Sequence, residues 1–103
     1  MTDKNDPIIN FAEINRRLWN DKVNYHVVSP MYNVSGFLNG ADSLNGIEND
    51  LLGNIQDQRI LHLQCHFGLD SLSLVRHGAK HVTGIDLSDR AIDKARELAE
   101  TLN

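Results

Sequence analysis

A chain of 103 residues with ten Lys and Arg against fourteen Asp and Glu carries a formal net charge of −4 and has an isoelectric point near 5.6. It is at most one small domain, and is expected to be part of one; with no basic stripe to neutralise phosphates, it is not expected to bind nucleic acid. A single cysteine, Cys65, rules out an internal disulfide and fits a reducing cytosol.

The N-terminal MTDKNDP is acidic and polar, without the apolar centre of a signal peptide. No apolar run approaches the length of a membrane span, so the expectation is a soluble, cytoplasmic protein with no membrane partner. Residues 1–9 are expected to be loosely ordered, with Pro7 punctuating the entry. A first helix is predicted from about Phe11 to Val23, with Asn10 and Glu13 spaced as a capping box. Phe11, Ile14, Leu18 and Trp19 share one face, which reads as the buried one, while Arg16, Arg17 and Asn20 lie away from it. Trp19 reads as a packing residue.

From Asn24 to Ala41 the sequence reads as a loop, punctuated by Pro30 and Gly36 and rich in hydrogen-bonding side chains such as Tyr25, His26, Ser29, Tyr32 and Asn33. A second short helix is predicted over Leu44 to Leu52, capped by Ser43 and closed by Gly53, with Leu44, Ile47 and Leu51 on one face. Gly46 near its start costs some stability. Asn54 to Gln58 form a polar connection.

Arg59 to Asp86 is the organising stretch. Ile60, Leu61 and Leu63 suit a parallel strand buried on both faces. After Gly68, Leu69, Leu72, Leu74 and Val75 recur at helical spacing until Gly78 supplies a stop. Val82, Gly84 and Ile85 make a second strand that ends at Asp86. A right-handed crossover sets the two strands side by side, with the 64–68 turn and Asp86 at the same carboxyl edge. Open α/β sheets bind nucleotides at that edge. Gly68, lacking a Cβ, allows backbone N–H groups to approach a ligand. Asp86, 18 residues further on, stands near the spacing at which a carboxylate accepts hydrogen bonds from both ribose hydroxyls. The plainer alternative is a structural βαβ unit whose Asp86 merely starts the next helix. That last helix has Ser88 as N-cap, Asp89 in its first turn, and an apolar stripe of Ile92, Ala95, Leu98, Ala99 and Leu102. Asp93, Arg96, Glu97 and Glu100 face water.

Other readings compete for the same residues. A nicotinamide dinucleotide module would share the βαβ unit, but it wants G-x-G-x-x-G, which Gln64 and His66 break. His62, Cys65, His66, His77 and His81 are close in sequence, yet H-x-x-C-H matches no common zinc arrangement and no metal is expected. A non-catalytic interaction fragment, binding a partner through open strand edges, is the third.

The block LHLQCHFGLDSLSL followed by VTGIDLSDRAIDKAREL resembles the cofactor-binding half of a bacterial class I S-adenosylmethionine-dependent methyltransferase. Where that superfamily has D-x-G-x-G-x-G after its first strand, this chain has His62, Gln64 and His66 at the acid and the first two glycines, and only Gly68 matches. It is similar to a branch whose loop reads L-Q-C-H-F-G, and the upstream NRRLWNDKVNYHVVSPMYNV and FLNGADSLNGIE resemble that branch too. The resemblance implies an α/β, Rossmann-like fold of which this chain is the N-terminal portion, two helices followed by βαβα. Residues 1–58 would be a helical cap segment and 59–103 the first βαβα of a truncated S-adenosylmethionine-binding domain. It implies that Gln64, Cys65, His66 and Gly68 lie along the methionine and ribose portions of the cofactor, that Asp86 holds the ribose hydroxyls, and that Leu87 packs near the adenine. It makes His26 and Tyr32 candidates for contact with the methyl acceptor or for proton removal; the plainer reading satisfies them at a surface turn. The acceptor would be a small molecule, and no residue is named as catalytic. The superfamily sheet has seven strands and this sequence supplies two. The chain is therefore expected to be a piece of a longer enzyme, or to self-associate through its open strand edges.

Overall fold

The computed structural model describes residues 7–102. The elements follow the order α1 (Pro7–Val28), α2 (Val34–Leu38), α3 (Gly46–Leu52), β1 (Arg59–Leu63), α4 (Leu69–Arg76), β2 (His81–Ile85) and α5 (Asp89–Leu102). The expected loose order of residues 1–6 lies outside the described residues. From Pro7 onward the backbone is already helical.

Helix α1 departs most from expectation. It opens at Pro7, a residue suited to a first turn because its missing N–H is unpaired there anyway. Asn10 is therefore inside the helix and caps nothing. Glu13 instead accepts hydrogen bonds from Arg16 and Arg17, and the Arg16 bond holds its carboxyl down at about 2. The helix runs five residues beyond Val23 and stops at Val28, because Ser29 precedes Pro30 and is pushed out of the helical region. Its faces are also reversed. Asn20 and Val23 are buried, whereas Phe11, Ile14, Leu18 and Trp19 are exposed.

The 24–41 stretch is thus not a loop. It holds the end of α1, a turn at 29–33 and the five-residue α2, capped by Asn33, whose left-handed backbone (φ 48°) lets its side chain accept from the Gly36 N–H. Helix α3 begins at Gly46, not Leu44, and its cap is Asn45. Asn45 Oδ1 accepts from Glu48 N–H while Glu48 accepts from Asn45 N–H, a full capping box. Leu44 is buried, but Ile47 and Leu51 face solvent. Ser43 serves elsewhere, bonding Asp70 and Ser73 of α4 at 2.7 Å each. Gly53 closes α3 as expected.

The βαβ unit matches the sequence reading. Strands β1 and β2 pair in parallel, Arg59 with His81 through Leu63 with Ile85, and they form the two-stranded sheet among the described residues. Helix α4 ends in a Schellman turn at Gly78 (φ 100°), where Gly78 N–H donates to Val75 and Ala79 N–H to Leu74. Ser88 caps α5 by accepting from Ala91 N–H at 3.1 Å. One expectation fails: the strands are not covered on both faces. Ile60 and Val82 pack on a core of Leu44, Ile55, Leu74 and Ala79, while Leu61, Leu63 and Ile85 on the opposite face are exposed. A second core of Phe37, Phe67, Leu69 and Leu98 joins α2, the 64–68 turn, α4 and α5.

Candidate functional site

The turn after β1 is built from two left-handed residues, Gln64 (φ 55°) and His66 (φ 54°), flanking Cys65. For residues with a Cβ this conformation costs about 1–2 kcal/mol each, so the surroundings must hold it. Cys65 N–H donates to Ile85 C=O, extending the ladder one step past β1. His66 N–H donates to Asp86 Oδ2 at 2.8 Å, while Asp86 Oδ1 accepts from Ser88 N–H at 2.9 Å. Asp86 thus stands at the tip of β2 beside the turn, and each of its oxygens fixes a backbone amide. Gly84 makes the close packing possible, because a Cβ there would sit 2.9 Å from Cys65 Sγ and 3.2 Å from Ser71 Oγ. Gly68 (φ 89°) meets a constraint other than the one expected. Its missing Cβ makes room for Ala95 Cβ of α5, only 2.9 Å away.

The side chain of His66 reaches back to α1. Its Nε2 lies 2.9 Å from His26 Nδ1, so one ring donates and the other accepts. Tyr32 stacks on His26 with centroids 4.8 Å apart and leans on Phe67 at 5.2 Å; the Trp19 ring approaches His66 at 6.0 Å. Burial and the neighbouring His26 push the His66 imidazole below its ordinary value, against the opposing pull of Asp86. Burial, with Asp86 behind it, pushes the Cys65 thiol up. Buried and held protonated, Cys65 has the character of a packing residue and not of a nucleophile.

Beside this turn lies a cavity of about 550 Å³, within the size range of small-molecule sites. Gln64, Cys65, His66 and Gly68 all line it, as does Tyr32. His26 is one step behind, joined to the lining through His66. Asp86 and Leu87 do not line it: Asp86 flanks the turn and Leu87 is half exposed.

Sequence reasoning missed Asp42, Ser43, Asp70 and His62 as further members of the lining. Asp70, in the first turn of α4, could have been found from its position just after the Gly68 turn. Asp42 gave no local signal; it arrives through the fold, tied to His77 at 2.6 Å and to Leu44 N–H at 2.9 Å. Burial opposes its ionisation, but the bonds from Leu44, His77 and Asn49 prevail and hold its carboxyl below the ordinary value. His62 Nδ1 is 2.6 Å from Ser71 Oγ. The lining carries two carboxylates and no Lys or Arg.

Among the described residues, no group of three or more His, Cys, Asp or Glu side chains is placed to hold a metal ion, and no helix is long and apolar enough to cross a membrane. In comparisons with known proteins, no family model matches the chain, and neither the curated proteins nor the solved structures contain a match to it.

Proposed function

We propose that this chain is the methyl-donor-binding portion of an S-adenosylmethionine-dependent methyltransferase. One observation carries the reading: a cavity at the carboxyl end of β1 walled by Asp42 and Asp70, with no basic side chain in its lining. A pyrophosphate would meet two carboxylates there and no Lys or Arg in the lining to offset them. A ligand bearing a sulfonium and an ammonium gains from the same field. The electrostatics therefore favour the sulfonium cofactor over a nicotinamide dinucleotide.

The residues present fit such a group. Gln64 carries a carboxamide at the cavity wall, able to donate and accept. Asp70 Oδ1 takes the Ser43 hydroxyl, leaving Oδ2 for a cationic ligand group. Asp86, with one lone pair per oxygen engaged by backbone, retains acceptor capacity for ribose hydroxyls. Leu87, half exposed just past it, offers apolar surface for an adenine ring. When bound, the cofactor supplies a methyl group on a positively charged sulfur, and the protein's share is positioning and exclusion of water. Tyr32, on the cavity wall, is a candidate for contact with the acceptor. His26, committed to His66, orients that wall. A small-molecule acceptor and a cytoplasmic setting belong to the proposal.

The test is calorimetric titration with S-adenosylmethionine beside its uncharged thioether product S-adenosylhomocysteine, with Asp70→Asn and Asp86→Ala variants and NAD as competitor. Micromolar binding that weakens in both variants and is indifferent to NAD is the expected result. A folded, monodisperse chain that binds NAD instead, or none of these ligands, would refute the reading.

A further inference from the structure

Helix α1 is apolar on the side that faces away from the protein. At about 3.6 residues per turn, Arg16, Asn20, Val23 and Val27 form the inward side, where Asn20 and Arg16 bond Asp89 at the start of α5. On the outer side, Phe11, Ile14, Leu18, Tyr25 and Val28 are 66%, 59%, 47%, 75% and 79% exposed, with Tyr25 and Val28 at the edge that borders Arg90 of α5. Their spacing, with Asp21 between, alternates three and four residues, which is the seam of a two-helix contact and not the wider stripe of a helix laid on a core.

We infer that this outward face of α1 is the contact between two copies of the chain, packed antiparallel about a two-fold axis that passes between Trp19 and Asn20. The seam is self-complementary in that one direction. Phe11 then meets Val28 of the other copy, Ile14 meets Tyr25, and Leu18 meets Asp21, each layer setting a larger side chain against a smaller or differently shaped one. Charge agrees with the register. Asp21, the single carboxylate in the seam, borders Arg90 of its own chain and falls beside Arg17 of the other copy, an exposed guanidinium that also bonds Glu13. Five apolar side chains and the edges around them make a small contact, at or below the roughly 1,200 Å² in total that bounds stable interfaces. The dimer is therefore expected to dissociate at micromolar concentrations. This contact is distinct from the open strand edges and leaves the cavity accessible.

Sedimentation equilibrium of the full chain over a range of roughly 1 to 200 µM tests it. Reversible dimerisation is expected, weakened at least about tenfold by Ile14→Lys, whose exposed position leaves the far-ultraviolet circular dichroism unchanged. Leu61→Lys, on the bare face of the sheet, leaves the dimer intact. In a Cys65→Ala background, Ile14→Cys mixed with Tyr25→Cys forms a disulfide-linked dimer, while neither links to itself. A monomer at 200 µM overturns the inference. So does a dimer abolished by Leu61→Lys and indifferent to Ile14→Lys, and so does self-linking of Ile14→Cys, which would indicate a parallel pair.

Discussion

Replacing Asn20 by Ala should be among the most damaging single changes in the chain, although the side chain sits on a helix and touches no cavity. Asn20 is 8% exposed and Ser88 is fully buried. Asn20 Oδ1 accepts from the Ser88 hydroxyl and from Arg90 N–H, and its amide donates to Asp89 Oδ1 at 2.8 Å. Two of these three bonds lead back to groups that water can reach, so losing them costs about 1 kcal/mol in total. The Ser88 hydroxyl has no water to turn to, and an orphaned buried donor adds roughly 1–3 kcal/mol. The sum is about 3 kcal/mol, a fall in Tm of roughly 12–24 °C for a domain of this size. Thermal unfolding followed by circular dichroism measures it, and fluorescence of the sole tryptophan, Trp19, reports whether α1 has left His66. In a Ser88→Ala background the penalty should shrink by the orphan contribution, which a double-mutant cycle reads directly. A drop of less than about 3 °C in the single variant, or no coupling in the cycle, would refute the view that this buried polar joint fastens α1 to the β2–α5 connection.

Three further outcomes follow from the turn. Gln64→Gly relieves a left-handed residue at the cost of some unfolded-chain entropy, and should raise the urea unfolding free energy by roughly 0.5–1 kcal/mol while weakening S-adenosylhomocysteine binding in the same preparation. Gly84→Ala places a methyl 2.9 Å from Cys65 Sγ; equilibrium unfolding should show a loss of about 1–3 kcal/mol, part of which Cys65→Ala restores. His66, shifted below its ordinary 6.5 chiefly by burial, takes up its proton more readily in the unfolded chain, and it faces His26, Tyr32, Trp19, Phe67 and the Asp86 carboxylate. Its contribution is therefore fully present above pH 6.5 and declines as pH falls below it, so Tm should drop between pH 7 and 5, and His66→Gln should flatten that slope.

The βαβα segment was legible because its signals are local and agree with one another. A short apolar run, a glycine stop at Gly78 and a Ser88 cap each dictate one backbone event, and all are found where the spacing puts them. Helix α1 was misread because an apolar stripe says where apolar residues lie and not what they face. Here the docking side is half polar, its Asn20 satisfied by Ser88, Asp89 and Arg90, which lie 68 to 70 residues away along the chain. No local pattern carries that information. The Asn10–Glu13 spacing has the form of a capping box, but Pro7 had already started the helix. The equivalent box at Asn45 and Glu48 was just as readable and was passed over for Ser43. Of the site, the 64–68 turn and Tyr32 were legible, whereas Asp42 and Ser43 reach the cavity only through the packing of the α2–α3 connection on α4.

His66 joins α1 to the candidate ligand site, and this bears on how either works. His66 is held from two directions: its backbone N–H by Asp86 and its ring by His26. A glycine at this position would keep the first bond without left-handed strain and lose the second. The strain at His66 is therefore the cost of coupling the turn to α1, whereas the strain at Gln64 serves a side chain turned to the cavity. A ligand that draws on Asp86 acts on the same carboxylate that fixes His66 N–H, and through that ring on the packing of His26 and Tyr32. Occupancy of the cavity, which His66 and Tyr32 line, and seating of α1 should accordingly rise and fall together. Substitutions at His26, one step behind the cavity wall, should weaken ligand binding in proportion to how far they release His66.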